Sequence, residues 1–69
     1  MGVWKYAQLS IVPDDAAKWD DGGGRQDWPG GLNDLVALLN RAGSDGWELV
    51  AAEDRGASRA YLFKRLVDL

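Results

Sequence analysis

Four tryptophans, at positions 4, 19, 28 and 47, are the side chains best suited to recognition, and two of them sit beside cations. Lys18 precedes Trp19, and Arg25 lies three residues before Trp28. A flat ring that stacks on a base and a cation that meets a phosphate are what a nucleotide-type ligand requires. The same rings also serve as plugs, folding back to cover an apolar sheet. Both readings apply to Trp19 and Trp28. A second cationic set, Arg55, Arg59, Lys64 and Arg65, brackets Tyr61 and Phe63. Arg59 and Tyr61 share a strand face and join Lys18, Trp19, Arg25 and Trp28 as candidate ligand-binding residues. Charges on strand edges that discourage aggregation explain the same set without a ligand.

Catalytic chemistry lacks its usual parts. The 69 residues include no histidine and no cysteine. That leaves no Ser-His or Cys-His pair and no imidazole acid, base or metal ligand. Asp14, Asp15, Asp20, Asp21 and Asp27 crowd one stretch, but without the alternate-position oxygens of a calcium loop. They read as solvated loop charges. Gly22-Gly23-Gly24-Arg25 offers successive amides to an anion, yet it lacks the Lys-Ser/Thr ending of a nucleotide P-loop and reads as a hinge. No catalytic residue, metal site or cofactor is expected.

The bulk numbers set the frame. Sixty-nine residues make one domain, spanning 1–69. A chain this short buries only roughly 60% of its unfolded surface, so association with copies of itself is the available reinforcement. Eleven acidic against eight basic side chains, a net charge of −3, argue against duplex nucleic acid and against an anionic membrane surface. A small anion held by two or three local cations remains compatible. No apolar run approaches the roughly 20 residues of a membrane span, and no leader pattern opens the chain. A cytoplasmic protein, in the host cytoplasm if phage-encoded, is the expectation.

Four segments carry a readable period. Trp4 to Val12 is a strand, rich in aromatic and β-branched residues and halted at Pro13. Residues 13–31 hold Pro13-Asp14-Asp15, three consecutive glycines and Trp28-Pro29-Gly30-Gly31, and read as a long loop. Within it, Ala16 to Trp19 allows one helical turn capped by Asp14 or Asp15. Leu32, Leu35, Val36, Leu39 and Ala42 form one helical stripe over 32–42, with Gly43 as its stop. Trp47 to Glu53 and Ala60 to Val67 are strands joined through Gly56.

Gly46-Trp47-Glu48-Leu49-Val50, with Trp4-Lys5-Tyr6 near the start and Phe63-Lys64-Arg65 near the end, resembles domain of unknown function 4177. This is a small bacterial and phage family. The resemblance covers the greater part of the chain, departs from the family at the long 13–31 connection, and implies a fold more than an activity. It implies a strand, a helix ending near Leu39-Asn40, the Gly-Trp-Glu-Leu-Val strand and a last strand ending in Phe-Lys-Arg.

The expected architecture is therefore α+β, in the order β-α-β-β. A three-stranded, mostly antiparallel sheet has its last strand in the centre and one helix on one face. Every strand is apolar on both sides, so the second face requires cover, from a partner copy or from the long loop. Trp4, Tyr6, Trp47 and Phe63 are the expected contacts of a dimer or tetramer. The functional expectation is a non-catalytic oligomer that sequesters a small, nucleotide-type signalling molecule. Alternatives are a protein–protein module, inhibitor or adaptor, anchored by the tryptophan loop, and a small structural or assembly protein.

Overall fold

The computed structural model describes residues 2–12 and 17–68, with the side chain of Leu32 outside that set. It is an α+β fold, with strands β1 (Gly2–Ile11), β2 (Ala17–Asp20) and β3 (Arg25–Trp28) before the helix. A 3-10 turn (Leu32–Asp34) leads into α1 (Leu35–Ser44), and β4 (Glu48–Asp54) and β5 (Arg59–Asp68) follow. The sheet is antiparallel throughout, in the order β3-β2-β1-β5-β4. As the pattern predicts, the last strand lies between β1 and β4, and one helix packs on one face.

The sheet has five strands rather than three, because residues 17–28 are not a loop. Ala17–Asp20 pairs with Arg25–Trp28 as a hairpin, and β2 pairs in turn with β1 from Gln8 to Ser10. The triple glycine is the bend of this hairpin. Gly22 and Gly24 adopt φ of 88° and 126°, values open to glycine at little cost. The Gly22 amide donates to Asp20 Oδ1 at 3.0 Å and the Gly23 amide to Asp21 Oδ1 at 2.9 Å. The anion cradle suggested by these glycines is thus filled by the chain's own carboxylates. The helical turn expected over 16–19 gives way to strand at Ala17–Trp19, while its proposed caps Asp14 and Asp15 lie outside the described residues.

The helical stripe keeps Leu35, Leu39 and Ala42, as expected, but takes Leu38 in place of Val36. Its core contacts are Leu38 and Ala42, with Leu35 and Leu39 packed alongside, whereas Val36 is exposed. The 3-10 turn winds more tightly than an α-helix, so the apolar face starts at Leu35 and follows i, i+3, i+4, i+7. The helix also runs through Gly43 to Ser44. Gly46, at φ 87°, provides the left-handed residue after the Asp45 cap, and the Trp47 amide donates back to Ala42 O at 3.1 Å.

A bulge at Val50 breaks the alternation of β4. Leu49 pairs with Phe63 but Ala51 with Leu62, so Leu49 and Ala51 point to opposite faces instead of sharing one. The core lies between α1 and one face of the sheet. Ala7, Leu9 and Ile11 of β1, Ala17 and Trp19 of β2, Trp28 of β3 and Tyr61 and Phe63 of β5 meet Leu38, Ala42 and Trp47 there.

Candidate functional site

The cross-strand register assigns each side chain to a face. Leu9 stands opposite both Trp19 and Tyr61, which fixes the odd positions of β1 and β5 on the helix side. The even positions therefore form the opposite face, on which no helix lies. Along its middle run Trp4 beside Leu66, Tyr6 beside Lys64 and Gln8 beside Leu62. Trp4, Tyr6, Leu62 and Leu66 are 49%, 56%, 38% and 58% exposed. Lys64 Nζ sits 4.3 Å from the centroid of the Trp4 ring, a cation–π contact on this face. Leu66 lies over Gly2, where a Cβ would come within 2.8 Å of its Cδ1.

Charge rims this apolar stripe. Glu48 and Glu53 flank it on the β4 side, since they pair with Lys64 and Ala60. Lys18, Asp20, Arg25 and Asp27 flank it on the β2–β3 side. Two hollows open beside the stripe. One of about 260 Å³ lies against Tyr6, Gln8, Asp20, Gly22 and Leu62, and one of about 100 Å³ against Gln8, Ala51, Glu53 and Leu62. An apolar centre with a polar rim is the anatomy of a contact surface.

The expected ligand-binding residues divide. Trp19 and Trp28 are each 3% exposed and stack on one another, with centroids 4.4 Å apart and planes 8° from parallel. Trp47 meets Trp19 edge-on at 5.4 Å, Phe63 tilts against Trp19 at 5.4 Å, and the Arg41 guanidinium lies 4.2 Å from the Trp28 centroid. Neither ring keeps a free face for a ligand; of the two sequence readings, the plug is the one this geometry supports. Lys18 Nζ pairs with Asp27 Oδ1 at 2.6 Å, and Arg25 Nε stands 4.0 Å from Asp20 Oδ2. Arg59 and Tyr61 come together at a hollow of about 270 Å³, but Glu53 and Asp54 line it too, an unfavourable setting for an anion.

The expected oligomer contacts divide as well. Trp4 and Tyr6 lie on the uncovered face. Trp47 and Phe63 instead lie in the core beneath the helix. The Arg65 guanidinium is 4.5 Å from the Trp47 centroid, and its Nη1 donates to Asp45 O at 2.9 Å, closing the end of α1. Leu62 and Leu66 are exposed apolar residues of this face that the sequence reading did not single out. The signal was present, because two-residue alternation already sets Ala60, Leu62 and Leu66 on one side of β5.

Among the described residues no group of three or more Asp, Glu, His or Cys side chains is placed to hold a metal ion. The Asp21 carboxyl is held below its ordinary value of 3.8 chiefly by the Gly23 amide it accepts from, with the Trp19 indole adding to the effect. Among the described residues no helix is long and apolar enough to cross a membrane. No family model, curated protein or solved structure matches the chain, so its likeness to the Gly-Trp-Glu-Leu-Val family rests on the quoted residues alone.

Proposed function

We propose that this chain is a non-catalytic binding protein that works as an oligomer of identical copies, with the uncovered sheet face as the contact surface. The observation that carries this reading is the continuous stripe of Trp4, Tyr6, Leu62 and Leu66, exposed on the face opposite the core. Size agrees with it. Strands of 10, 4, 4, 7 and 10 residues, at about 3.3 Å per residue and about 4.8 Å apart, make a face of roughly 550 Å². That is below, but of the same order as, the ~800 Å² each partner contributes to a standard interface.

Charge disfavours one orientation of a second copy. A two-fold axis along the strands lays the Glu48 and Glu53 edge of one copy over the β2–β3 edge of the other, where Lys18 and Arg25 are balanced by Asp27 and Asp20. An axis across the strands would set the acidic edges on each other. The chosen orientation also places Trp4 over Leu66 of the second copy.

Sequestration of a nucleotide-type molecule has less support, because Trp19 and Trp28 are stacked on each other and Lys18 is paired. The test of self-association is thermal unfolding at increasing protein concentration. The midpoint rises with concentration, as mass action requires of a folded oligomer. Leu62→Lys folds but shows a much weaker dependence. A midpoint indifferent to concentration in the natural chain defeats the reading.

A further inference from the structure

Three stretches of open strand edge, on β3, β4 and the start of β1, are not alike. β3 is four residues long and is followed directly by Pro29. β4 carries a bulge at Val50 and the carboxylates Glu48, Glu53 and Asp54. Shortness, proline, bulges and charge are the devices that stop one sheet edge from pairing with another. The third stretch has almost none of them. β2 pairs with β1 only from Gln8 to Ser10, so Gly2 to Ala7 has β5 on one side and, among the described residues, no strand on the other. Its residues, Gly-Val-Trp-Lys-Tyr-Ala, favour strand and include one charge.

We infer that this edge is a strand-pairing site for the same segment of a second copy, antiparallel, with Trp4 of both copies at the two-fold axis. Several observations choose this occupant and register. A two-fold axis normal to the sheet keeps the faces continuous, so even residues must meet even residues. With Trp4 on the axis, Gly2 meets Tyr6 and Val3 meets Lys5 of the other copy. Moving the axis one residue on, to Lys5, would set two lysines against each other. On the same edge Asp20 of β2 first occupies the slot beside Gln8, two residues beyond the Tyr6 position that the second copy's Gly2 would meet. The hollow of about 260 Å³ against Tyr6, Ala7, Gln8 and Gly22 leaves room at that junction. Pairing joins two sheets of five strands edge to edge, and the apolar stripes of both copies become one platform. This contact is separate from the face-to-face contact proposed above and can exist without it.

The absence of cysteine makes the test clean. Single-cysteine chains Trp4→Cys and Lys5→Cys are oxidised mildly, each also in the Leu62→Lys background that disables the open face. Trp4→Cys should give a disulfide-linked dimer in both backgrounds, since residues paired across such an axis bring their Cβ atoms within reach of a bridge. Lys5→Cys should stay mostly unlinked alone, yet link to Val3→Cys when the two are mixed. Linkage of Lys5→Cys as efficient as that of Trp4→Cys overturns the register. Failure of all three combinations overturns the edge pairing. Because removing the Trp4 ring could itself weaken association, charge gives a second reading. Val3→Lys, facing Lys5, should dissociate the edge dimer in the Leu62→Lys background, and Val3→Glu should retain it. Equal behaviour of the two variants contradicts the proposal.

Discussion

Trp19, Trp28 and Trp47 form one aromatic cluster, and its geometry explains how so short a chain holds a core. Offset stacking and edge-to-face contact each add about 0.5–1.5 kcal/mol beyond the area buried. Expected total stability for 69 residues is only about 3–10 kcal/mol. Trp28→Ala should therefore cost about 3–5 kcal/mol, enough to leave the chain largely unfolded in a denaturant titration followed by circular dichroism. Trp19 and Trp28 were hard to place from sequence because aspartates and glycines surround them, the usual marks of an exposed loop. Asp21 supplies a pH readout at the same scale. The Gly23 amide favours its ionised form, so the native pKa lies below the unfolded one. The contribution is present above the unfolded value and is lost as pH falls through the native value. Carbon-detected NMR should show the Asp21 carboxyl titrating below 3.8 in the folded chain and near it in denaturant.

At the level of elements, the two glycines near the end of α1 have opposite duties. Gly43 lies inside the helix with open space around it, whereas Gly46 has φ 87° and would place a Cβ 3.3 Å from Arg65 Cδ. Gly43→Ala should stabilise the fold by about 0.5–1 kcal/mol, and Gly46→Ala should destabilise it by about 1 kcal/mol or more, both read from chemical denaturation. A loss of stability on Gly43→Ala would mean that the helix stops earlier than described. The long strands, the helix and the central place of β5 were legible, because their periods run for many residues. The β2–β3 hairpin was not, because four-residue strands offer too few alternations to stand out from turn-forming neighbours. The Val50 bulge and the exchange of Val36 for Leu38 in the helical stripe were hidden for a related reason. Both are local departures from a period, and sequence displays only the period.

For the whole molecule, the asymmetry of the sheet is the governing fact. The hairpin that could have folded over the second face instead widens the sheet at its edge, and its two tryptophans add to the core on the helix side. The face carrying Trp4, Tyr6, Leu62 and Leu66 is left exposed, with no described element lying over it. Its apolar character was legible in the alternation of β1 and β5, but its exposure was not, since that depends on where residues 17–28 go. Sedimentation velocity of the natural chain, from low micromolar to near millimolar concentration, examines this most directly. The account predicts a reversible rise in mass from the 7.5 kDa monomer to dimers or tetramers, much reduced by Leu62→Lys. A 7.5 kDa species throughout that range would contradict it.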